Sequence, residues 1–303
     1  MRTTIIGTRG SSLSLCQTEI IRVKLEERVP QLRFAVKTIK AKADHNPEVP
    51  LVAMGGEGIF VKELEAALLN GEITLAVHSM KDLPLQIPAG IVLAAITERE
   101  DSRDALVCRT GQRLNELPAG SRIGTSSLRR KSQLLRLRND LEILDIRGNV
   151  DTRLRKLEEG RYDAIIVAAC GLIRLGLDDR ITQYLSLEEM LPEPGQGALG
   201  IEARAGDEET LEMLRALDDS ATRACVEAER AFLRALGGGC RVPIAAYAQA
   251  QDGQLSLDGA VIAPDGSSER RGILTGSIND PVVLGERLAE ELTSQGARKL
   301  LMK

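Results

Sequence analysis

The chain has 303 residues, of which 43% are hydrophobic and 28% charged, enough to bury the cores of two or three domains. A net charge of −4 and an aromatic content of 2% argue against a general nucleic-acid binder with base-stacking surfaces. Five scattered cysteines and two histidines predict neither a disulfide framework nor a zinc site, and no apolar run reaches the ~18 residues of a membrane span. We therefore expect a cytoplasmic protein without a metal, membrane or nucleic-acid partner.

The first hundred residues show alternating strand and helix patterns. The predicted strands are residues 3–7, 32–39, 73–77 and 91–96, and the predicted helices are a segment that ends near Arg28 and residues 60–68. The buried stripe expected in the first helix consists of Leu13, Cys16, Ile20 and Val23. Arg9 and Ser11 precede this helix, and Ser11 is suited both to cap it and to bind an anion at its N-terminus.

Two loops of this region carry polar residues. Residues 55–58 are rich in glycine, but the sequence is not that of a phosphate-binding loop and Glu57 would repel phosphate, so a hinge is the better interpretation. Lys81 and Asp82 follow the strand 73–77, and ligands of open α/β sheets bind beyond the carboxyl ends of strands. An aspartate before a Leu-Pro pair is often only a turn residue, but the density of polar groups favours a function for Asp82.

The second region repeats this plan after a charged crossover at residues 98–103. Its predicted strands are residues 105–108, 122–124, 141–146 and 162–169. A predicted helix that begins at Leu128 carries Arg129 and Arg130 in its first turn. Each of these cations opposes the helix dipole there, which costs roughly a few tenths of a kcal/mol in stability. That cost is explained if an anion binds at the same helix end. Ordinary surface ion pairs are expected for Arg136, Arg138, Arg155 and Arg161.

The last third of the chain follows a linker rich in proline and glycine at residues 192–197. It comprises a predicted strand at 200–203, helices between 208 and 236, turns at 252–253 and 264–266, and a last helix that begins at Pro281. The whole pattern predicts an α/β fold of two doubly wound lobes that face a cleft, followed by a small α+β C-terminal domain. The expected boundaries are residues 1–97 with 198–216 for the first lobe, 103–192 for the second and 220–303 for the α+β domain.

Cys240 lies in a glycine-rich loop between a helix and a strand. The buried stripe expected in that helix consists of Ala221, Cys225, Ala228, Phe232 and Ala235. Considered alone, a free cysteine is more often a small buried hydrophobe, whereas the bend-rich loop favours an exposed thiol that carries a group. The C-terminus of the preceding helix opposes a thiolate, and the neighbouring Arg241 favours one.

Seven segments, in the same order, resemble the porphobilinogen deaminase family, also called the hydroxymethylbilane synthases. They are residues 8–11, 58–65, 78–84, 124–130, 147–150, 195–197 and 229–240, and they span nearly the whole chain. The resemblance implies a transferase of tetrapyrrole and heme biosynthesis that joins four porphobilinogen molecules head to tail into hydroxymethylbilane with release of ammonia. It also implies two lobes similar to periplasmic solute-binding proteins, plus a small α+β domain, and we expect a monomer.

The resemblance also assigns the site residues. Cys240 matches the cysteine that carries a dipyrromethane cofactor as a thioether and thereby primes the pyrrole chain, and Asp82 matches an aspartate that contacts pyrrole NH groups. The growing chain brings an acetate and a propionate with each ring, so basic and hydroxyl side chains suit it. The residues implied for this binding are Arg9, Ser11, Ser79, Lys81, Thr125, Ser127, Arg129, Arg130, Arg147, Arg153 and Arg174. Glu57 and Ala53 stand where basic residues occur in members of the family, which leaves the role of that loop open.

Two other classes of protein fit parts of the pattern. A non-catalytic receptor for an anionic solute would use two lobes equally well, and it predicts an unmodified Cys240. Nucleic-acid binding through the arginine-rich region is a remote third hypothesis, which predicts a steep salt dependence with duplex DNA.

Overall fold

The structure, a computed structural model, describes residues 3–39, 61–238 and 242–301. The chain divides into two compact units, which are described separately. The first unit is Met1–Arg99 with Ala198–Arg223, and the second unit is Glu100–Gly197 with Ala224–Lys303. Cys240, Glu57 and Ala53 lie outside the described residues.

The first unit is built on a five-stranded mixed sheet. Its strands are β1 (Thr3–Thr8), β2 (Arg33–Thr38), β3 (Leu75–Ser79), β4 (Ile91–Ile96) and β10 (Leu199–Arg204), in the order β2-β1-β3-β10-β4. Its helices are α1 (Ser12–Arg28), α2 (Lys62–Leu69) and α6 (Glu208–Arg215). Strand β1 is parallel to β2 and β3, whereas β10 is antiparallel to β3 and β4. The carboxyl ends of β1 and β3 therefore lie at the same edge of the sheet.

The buried face predicted for α1 is wrong. None of the expected residues is fully buried, and Val23 is 40% exposed. The buried residues are instead Gln17, Thr18, Ile21 and Leu25. Two polar side chains occupy this face because each has a hydrogen bond there: Gln17 Nε2 donates to Ser79 Oγ at 2.9 Å, and Thr18 Oγ1 donates to the Ser14 carbonyl at 2.9 Å. A search for an apolar stripe could not find a face of this kind, and Cys16 is half-buried rather than part of the core.

The second unit contains a five-stranded sheet with the same plan. Its strands are β5 (Asp104–Cys108), β6 (Arg122–Gly124), β7 (Glu142–Leu144), β8 (Ala164–Ala168) and β9 (Gln183–Tyr184), in the order β7-β6-β8-β5-β9. Its helices are α3 (Leu128–Leu137), α4 (Val150–Glu158) and α5 (Ala169–Arg174). Strand β6 is parallel to β7 and β8, and β5 is antiparallel to β8 and β9. The two-residue strand β9 was not predicted, and β5 begins one residue earlier than expected, at Asp104.

The same unit also contains a three-stranded antiparallel sheet. Its strands are β11 (Ile244–Gln251), β12 (Gln254–Ile262) and β13 (Glu269–Ser277), covered by α7 (Ser220–Ala235), α8 (Pro281–Ser294) and α9 (Ala297–Leu300). The predicted hairpin turn is confirmed, with Asp252 and Gly253 at φ values of 49° and 77°. Helix α7 buries Cys225, Ala228 and Phe232 as expected, whereas Ala221 is exposed and Ala235 half-buried. Two α/β sheets and a small α+β part confirm the predicted fold class.

Helix α3 packs against the three-stranded sheet within the second unit. Gly266 has a φ of 72°, and a Cβ at this position would lie 2.7 Å from the backbone nitrogen of Arg136 and 2.8 Å from the carbonyl oxygen of Ser132. Only glycine permits this close approach. Arg136 also pairs with Glu269 on β13 at 2.8 Å. The helix that carries Arg129 and Arg130 is therefore held against the part of the chain that continues from the Cys240 loop.

Candidate functional site

The first cluster of predicted site residues lies at the carboxyl ends of β1 and β3. Ser11 follows β1 and caps α1, with its Oγ accepting from the Ser14 amide at 3.2 Å. Ser79 ends β3, and its Oγ accepts from Gln17 Nε2 of α1. The helix that follows β1 is thereby joined to the end of β3 through the buried amide side chain of Gln17. Arg9 is half-buried next to this junction in sequence.

Asp82 ends a single 3-10 turn, Met80–Asp82, that directly follows β3. The turn is fixed by its neighbours: Met80 and Leu83 are buried, and the Met80 amide donates to the Ala198 carbonyl at 3.0 Å. Asp82 itself is exposed and Lys81 is half-buried. Asp82 therefore lies on a turn whose neighbouring residues are buried, and its exposed carboxylate can contact a ligand while the turn keeps its position.

A buried group of titratable residues lies beside this turn and was missed from sequence. Nε2 of His78 on β3 lies 3.0 Å from Oε2 of Glu202 on β10, and both side chains are almost fully buried. The pKa of the buried Glu65 is raised because burial disfavours its charge and Glu202 adds a second negative charge. The signal in the sequence was the charged Glu202 within the apolar strand 200–203.

The second cluster lies at the carboxyl ends of the parallel strands β6, β7 and β8. Thr125 and Ser127 follow β6, and Ser127 caps α3 by accepting from the Arg130 amide at 3.4 Å. The Ser127 amide donates to Thr125 Oγ1 at 3.3 Å. Arg147 follows β7, and Arg174 ends the helix that follows β8. The structure therefore brings these residues to one sheet edge, as the strand pattern predicts.

The three half-buried arginines of this edge are tied to backbone groups. Arg153 Nε donates to the Gly148 carbonyl at 2.8 Å, and Arg174 Nη2 donates to the Gly197 carbonyl at 2.5 Å. The Arg147 carbonyl accepts from Lys156 Nζ at 3.0 Å. Backbone hydrogen bonds therefore orient the side chains of Arg153 and Arg174.

Arg129 and Arg130 are buried and share one carboxylate. Arg129 Nη1 donates to Asp104 Oδ2 at 2.7 Å, and Arg130 Nη2 and Nε donate to Asp104 Oδ1 at 2.7 and 3.1 Å. The exposed fractions of the three residues are 3%, 6% and 0%. We call these three residues the Asp104 cluster. The anion expected near this helix end is thus, in part, a carboxylate of the chain itself.

Burial and pairing act in opposite directions on Asp104. Burial raises the pKa of a carboxyl group, but the charges and hydrogen bonds of Arg129 and Arg130 outweigh it and hold the pKa of Asp104 well below its usual range. Asp104 was missed from sequence because the apolar pattern began at Ala105. An acidic residue at the first position of a buried strand was the available signal.

A small pocket lies next to the Asp104 cluster. It is lined by Ser127, Arg129, Glu193, Pro194, Leu233, Val242 and Ile244. Two of these residues, Leu233 and Val242, lie on opposite sides of residues 239–241 in the chain. Arg129 Nε and Nη2 are buried and have no hydrogen-bond partner within the described ranges. Arg129 therefore combines two donors without a described partner with a place in the lining of a pocket that also contacts Leu233 and Val242.

The remaining arginines of this region form the expected ion pairs. Arg136 pairs with Glu269 at 2.8 Å, and Arg138 pairs with Asp140 at 2.7 Å. Arg155 and Arg161 both pair with Glu159, at 3.7 and 2.8 Å. Their interpretation as ordinary ion-paired residues is confirmed.

The described residues hold no group of three or more metal-binding side chains, and none of their helices is long and apolar enough to cross a membrane. The two sheet edges carry arginines, hydroxyl groups and helix N-termini. These are the features of an α/β protein that binds an anionic ligand.

Two family models cover almost the whole chain. The model described as porphobilinogen deaminase, dipyromethane cofactor binding domain, matches residues 4–212, and the model of the porphobilinogen deaminase C-terminal domain matches residues 223–294. The chain belongs to the porphobilinogen deaminase family. The predicted family, enzyme class, transferase function and dipyrromethane cofactor are thereby confirmed, and porphobilinogen is the substrate.

Individual relatives agree with this assignment. The chain is 52% identical to the porphobilinogen deaminase of Roseiflexus sp. (strain RS-1) over 300 residues, which cover 99% of each chain. It is 49% identical to that of Desulforudis audaxviator over 302 residues, which cover 100% of this chain and 98% of the relative. Among solved structures, the periplasmic aliphatic sulphonate binding protein SsuA from Escherichia coli aligns with a TM-score of 0.41 and 15% identity, over 77% of this chain and 70% of that chain.

Proposed function

We propose that the enzyme holds its dipyrromethane through a thioether on Cys240, binds the carboxylates of the pyrrole chain with the arginines of the two sheet edges, and uses Asp82 at the reacting end. One observation carries most of this proposal. Arg129 Nε and Nη2 are buried without a partner among the described residues, and Arg129 lines a pocket together with Leu233 and Val242, which precede and follow the Cys240 loop in the chain. An acidic group tethered to Cys240 fits such donors.

The chemistry of the residues present suits the cofactor. A cysteine sulfur is a soft nucleophile whose thioether is stable, so the attached group would stay through turnover. When bound, the dipyrromethane supplies the pyrrole end onto which the first substrate unit is added. In the second unit, Arg129, Arg130, Arg147, Arg153 and Arg174, with Thr125 and Ser127, would hold carboxylates of this chain.

Asp82 has the properties of an electrostatic catalyst. Loss of ammonia from porphobilinogen leaves a delocalised cation, and a fixed carboxylate stabilises positive charge that develops beside it. The Met80–Asp82 turn fixes the backbone that carries the carboxylate, because Met80 and Leu83 on either side are buried. Arg9, Ser11, Ser79 and Lys81 would bind substrate carboxylates at the same sheet edge.

The proposal also includes the domain boundaries, the oligomeric state and the cellular location of the enzyme. We place the first lobe at residues 1–97 with 198–216, the second at 103–192 and the α+β domain at 220–303, since each contains its own sheet. The enzyme would be a cytoplasmic monomer, and a net charge of −4 argues against a nucleic-acid partner. Light scattering during size-exclusion chromatography, with and without duplex DNA, tests the last two points.

Intact-protein mass spectrometry tests the attachment. Enzyme from a host that makes porphobilinogen should be heavier than its sequence by two pyrrole units, and Cys240→Ser should have the plain sequence mass and no turnover. Cys16→Ser is the matched control, because Cys16 is a half-buried cysteine of helix α1 that the proposal gives no role. A wild-type enzyme at the plain mass, or an adduct that survives in Cys240→Ser, would contradict the proposal.

A further inference from the structure

We infer that Asp104 is a positioning residue for this site: it aims the Arg129 and Arg130 guanidiniums and sets the positive charge that they present to one carboxylate of the pyrrole chain. The inference rests on the proposed function and extends it to a residue that contacts neither substrate nor cofactor. It follows from three features of the Asp104 cluster, which are its hydrogen bonds, its charge balance and its place in the fold.

Asp104 holds Arg129 through one nitrogen and Arg130 through two, and the third nitrogen of Arg130, Nη1, donates to the Ile166 carbonyl at 3.3 Å. Oδ2 accepts from Arg129 Nη1, and Oδ1 accepts from Arg130 Nη2 and Nε. Oδ1 also accepts from Gln196 Nε2 at 2.9 Å, so Asp104 is itself fixed. Arg129 Nη1 additionally donates to the Leu191 carbonyl at 2.7 Å, which leaves its Nε and Nη2 as the donors without a described partner. Because Nη1 donates to two acceptors, the planar guanidinium of Arg129 is oriented and its remaining donors are directed to a fixed place.

The charges of the cluster do not cancel. Two guanidiniums and one carboxylate leave one positive charge among side chains that are nine-tenths buried or more. The other nearby carboxylate is Glu193, which lines the pocket and is only half-buried, so solvent screens it more than it screens Asp104. A buried charge that lacks a full counterion is costly. The cluster is therefore prepared for one more anion, and Arg129 supplies the free donors for it.

Three separated segments meet at Asp104. It begins strand β5, whereas both arginines lie in the first turn of α3. Gln196 comes from the linker that follows and also donates from Nε2 to the Ser102 carbonyl at 2.7 Å. Loss of Asp104 would therefore remove the tie between both arginines and β5 as well as change their charge, and it would leave Arg130 Nη1 bonded to the Ile166 carbonyl of β8 at 3.3 Å. Position and charge are two separate effects, and they can be measured separately.

The decisive comparison is made in an Arg130→Gln background. With only Arg129 and Asp104 left, the cluster has no net charge, and adding Asp104→Asn restores the single positive charge but removes the group that aims Arg129. A role in charge alone predicts that the double variant binds carboxylates better than R130Q. A role in positioning predicts that it binds them worse. We expect the primed fraction of folded protein, measured by intact mass, to be at least tenfold lower in D104N/R130Q than in R130Q.

Circular dichroism of each preparation gives the folded fraction by which the primed fraction is divided. Equal or higher priming in D104N/R130Q than in R130Q overturns the inference. If wild-type protein carries no primer, the proposed function fails instead, so the two failures are distinguishable.

A second variant keeps the charges of Asp104, Arg129 and Arg130, and it tests the positioning role of Asp104 if the double variant does not fold. Gln196→Leu removes one donor to Asp104 Oδ1 and should let the carboxylate shift. We expect a three- to tenfold rise in KM for porphobilinogen with a change in kcat of less than twofold, because binding geometry is affected more than the reacting groups. A wild-type KM in Q196L overturns the inference.

Discussion

The two sheet edges hold their charged residues in opposite ways. In the first unit, the carboxylate of Asp82 is exposed on a 3-10 turn, and apolar neighbours such as Met80 fix the turn. In the second unit, Arg129 and Arg130 are buried, and another charged residue, Asp104, fixes them. The backbone positions Asp82, whereas electrostatics positions the arginines.

This difference separates the effects of mutation on activity and on stability. An exposed carboxylate on a packed turn contributes little to folding, so its removal should affect the reaction alone. Removal of a buried carboxylate between two guanidiniums should lower stability, because it leaves uncompensated charge, and on the inference above it should also weaken binding. The predictions below test this contrast.

The largest effect is expected for Asp82→Asn. Removing the charge that steadies the developing cation should lower kcat by roughly 10²–10³-fold or more, the range for loss of one preorganised electrostatic group. The free energy of unfolding should stay within about 0.5 kcal/mol of wild type, since Asp82 is exposed. Steady-state kinetics and urea unfolding measure the two quantities.

Asp179→Asn is the matched control for this prediction, because Asp179 is also exposed on a 3-10 turn but lies outside the predicted site. It should leave kcat unchanged. An Asp82→Asn enzyme that turns over at the wild-type rate would show that the charge on this turn has no catalytic role.

Asp104→Asn should have the opposite profile, with a large effect on stability. Removing one partner of a buried ion pair leaves uncompensated charge, which typically costs about 3–5 kcal/mol. Here two guanidiniums would lose their only fully buried counterion among the described residues. Urea unfolding at neutral pH measures the loss, and a change below about 1 kcal/mol would show that solvent or another carboxylate compensates.

The difference in unfolding free energy between wild type and D104N should depend on pH in a definite direction. Because the pKa of Asp104 is lower in the folded than in the unfolded chain, its contribution to stability is fully present above the unfolded value of about 3.9. That contribution is lost as the pH falls through the lower, folded value. The difference in unfolding free energy between wild type and D104N should therefore shrink as the pH falls from about 6 to about 3. A difference that does not vary with pH would contradict the assignment of the ionised form.

The contrast also explains what could be predicted from sequence. Asp82 was found because it follows a clear apolar strand, and a strand end is a local feature of the chain. The role of Asp104 depends on Arg129, Arg130 and Gln196, which are distant in sequence. No periodicity records a hydrogen bond across 92 residues.

The missed face of α1 has the same origin. Gln17 is buried because Ser79, 62 residues away, accepts its hydrogen bond. Apolar periodicity finds faces that are buried by the hydrophobic effect, and it passes over polar side chains that are buried with a specific partner. The strands and helices of the sheets were therefore largely predictable, whereas the polar contacts that orient the site residues were not.

The smallest effect is expected where α3 meets the three-stranded sheet. Gly266 and Gly160 both have positive φ values, 72° and 73°, but only at Gly266 would a Cβ meet backbone atoms of α3. Gly160→Ala should therefore cost about 1 kcal/mol of unfolding free energy from backbone strain alone, and Gly266→Ala about 1–3 kcal/mol more from the contact with Arg136 and Ser132. If the two variants are equally stable, α3 can shift away from the added Cβ at little cost. The Asp104 cluster would then be the stronger of the two attachments that hold its arginines in place.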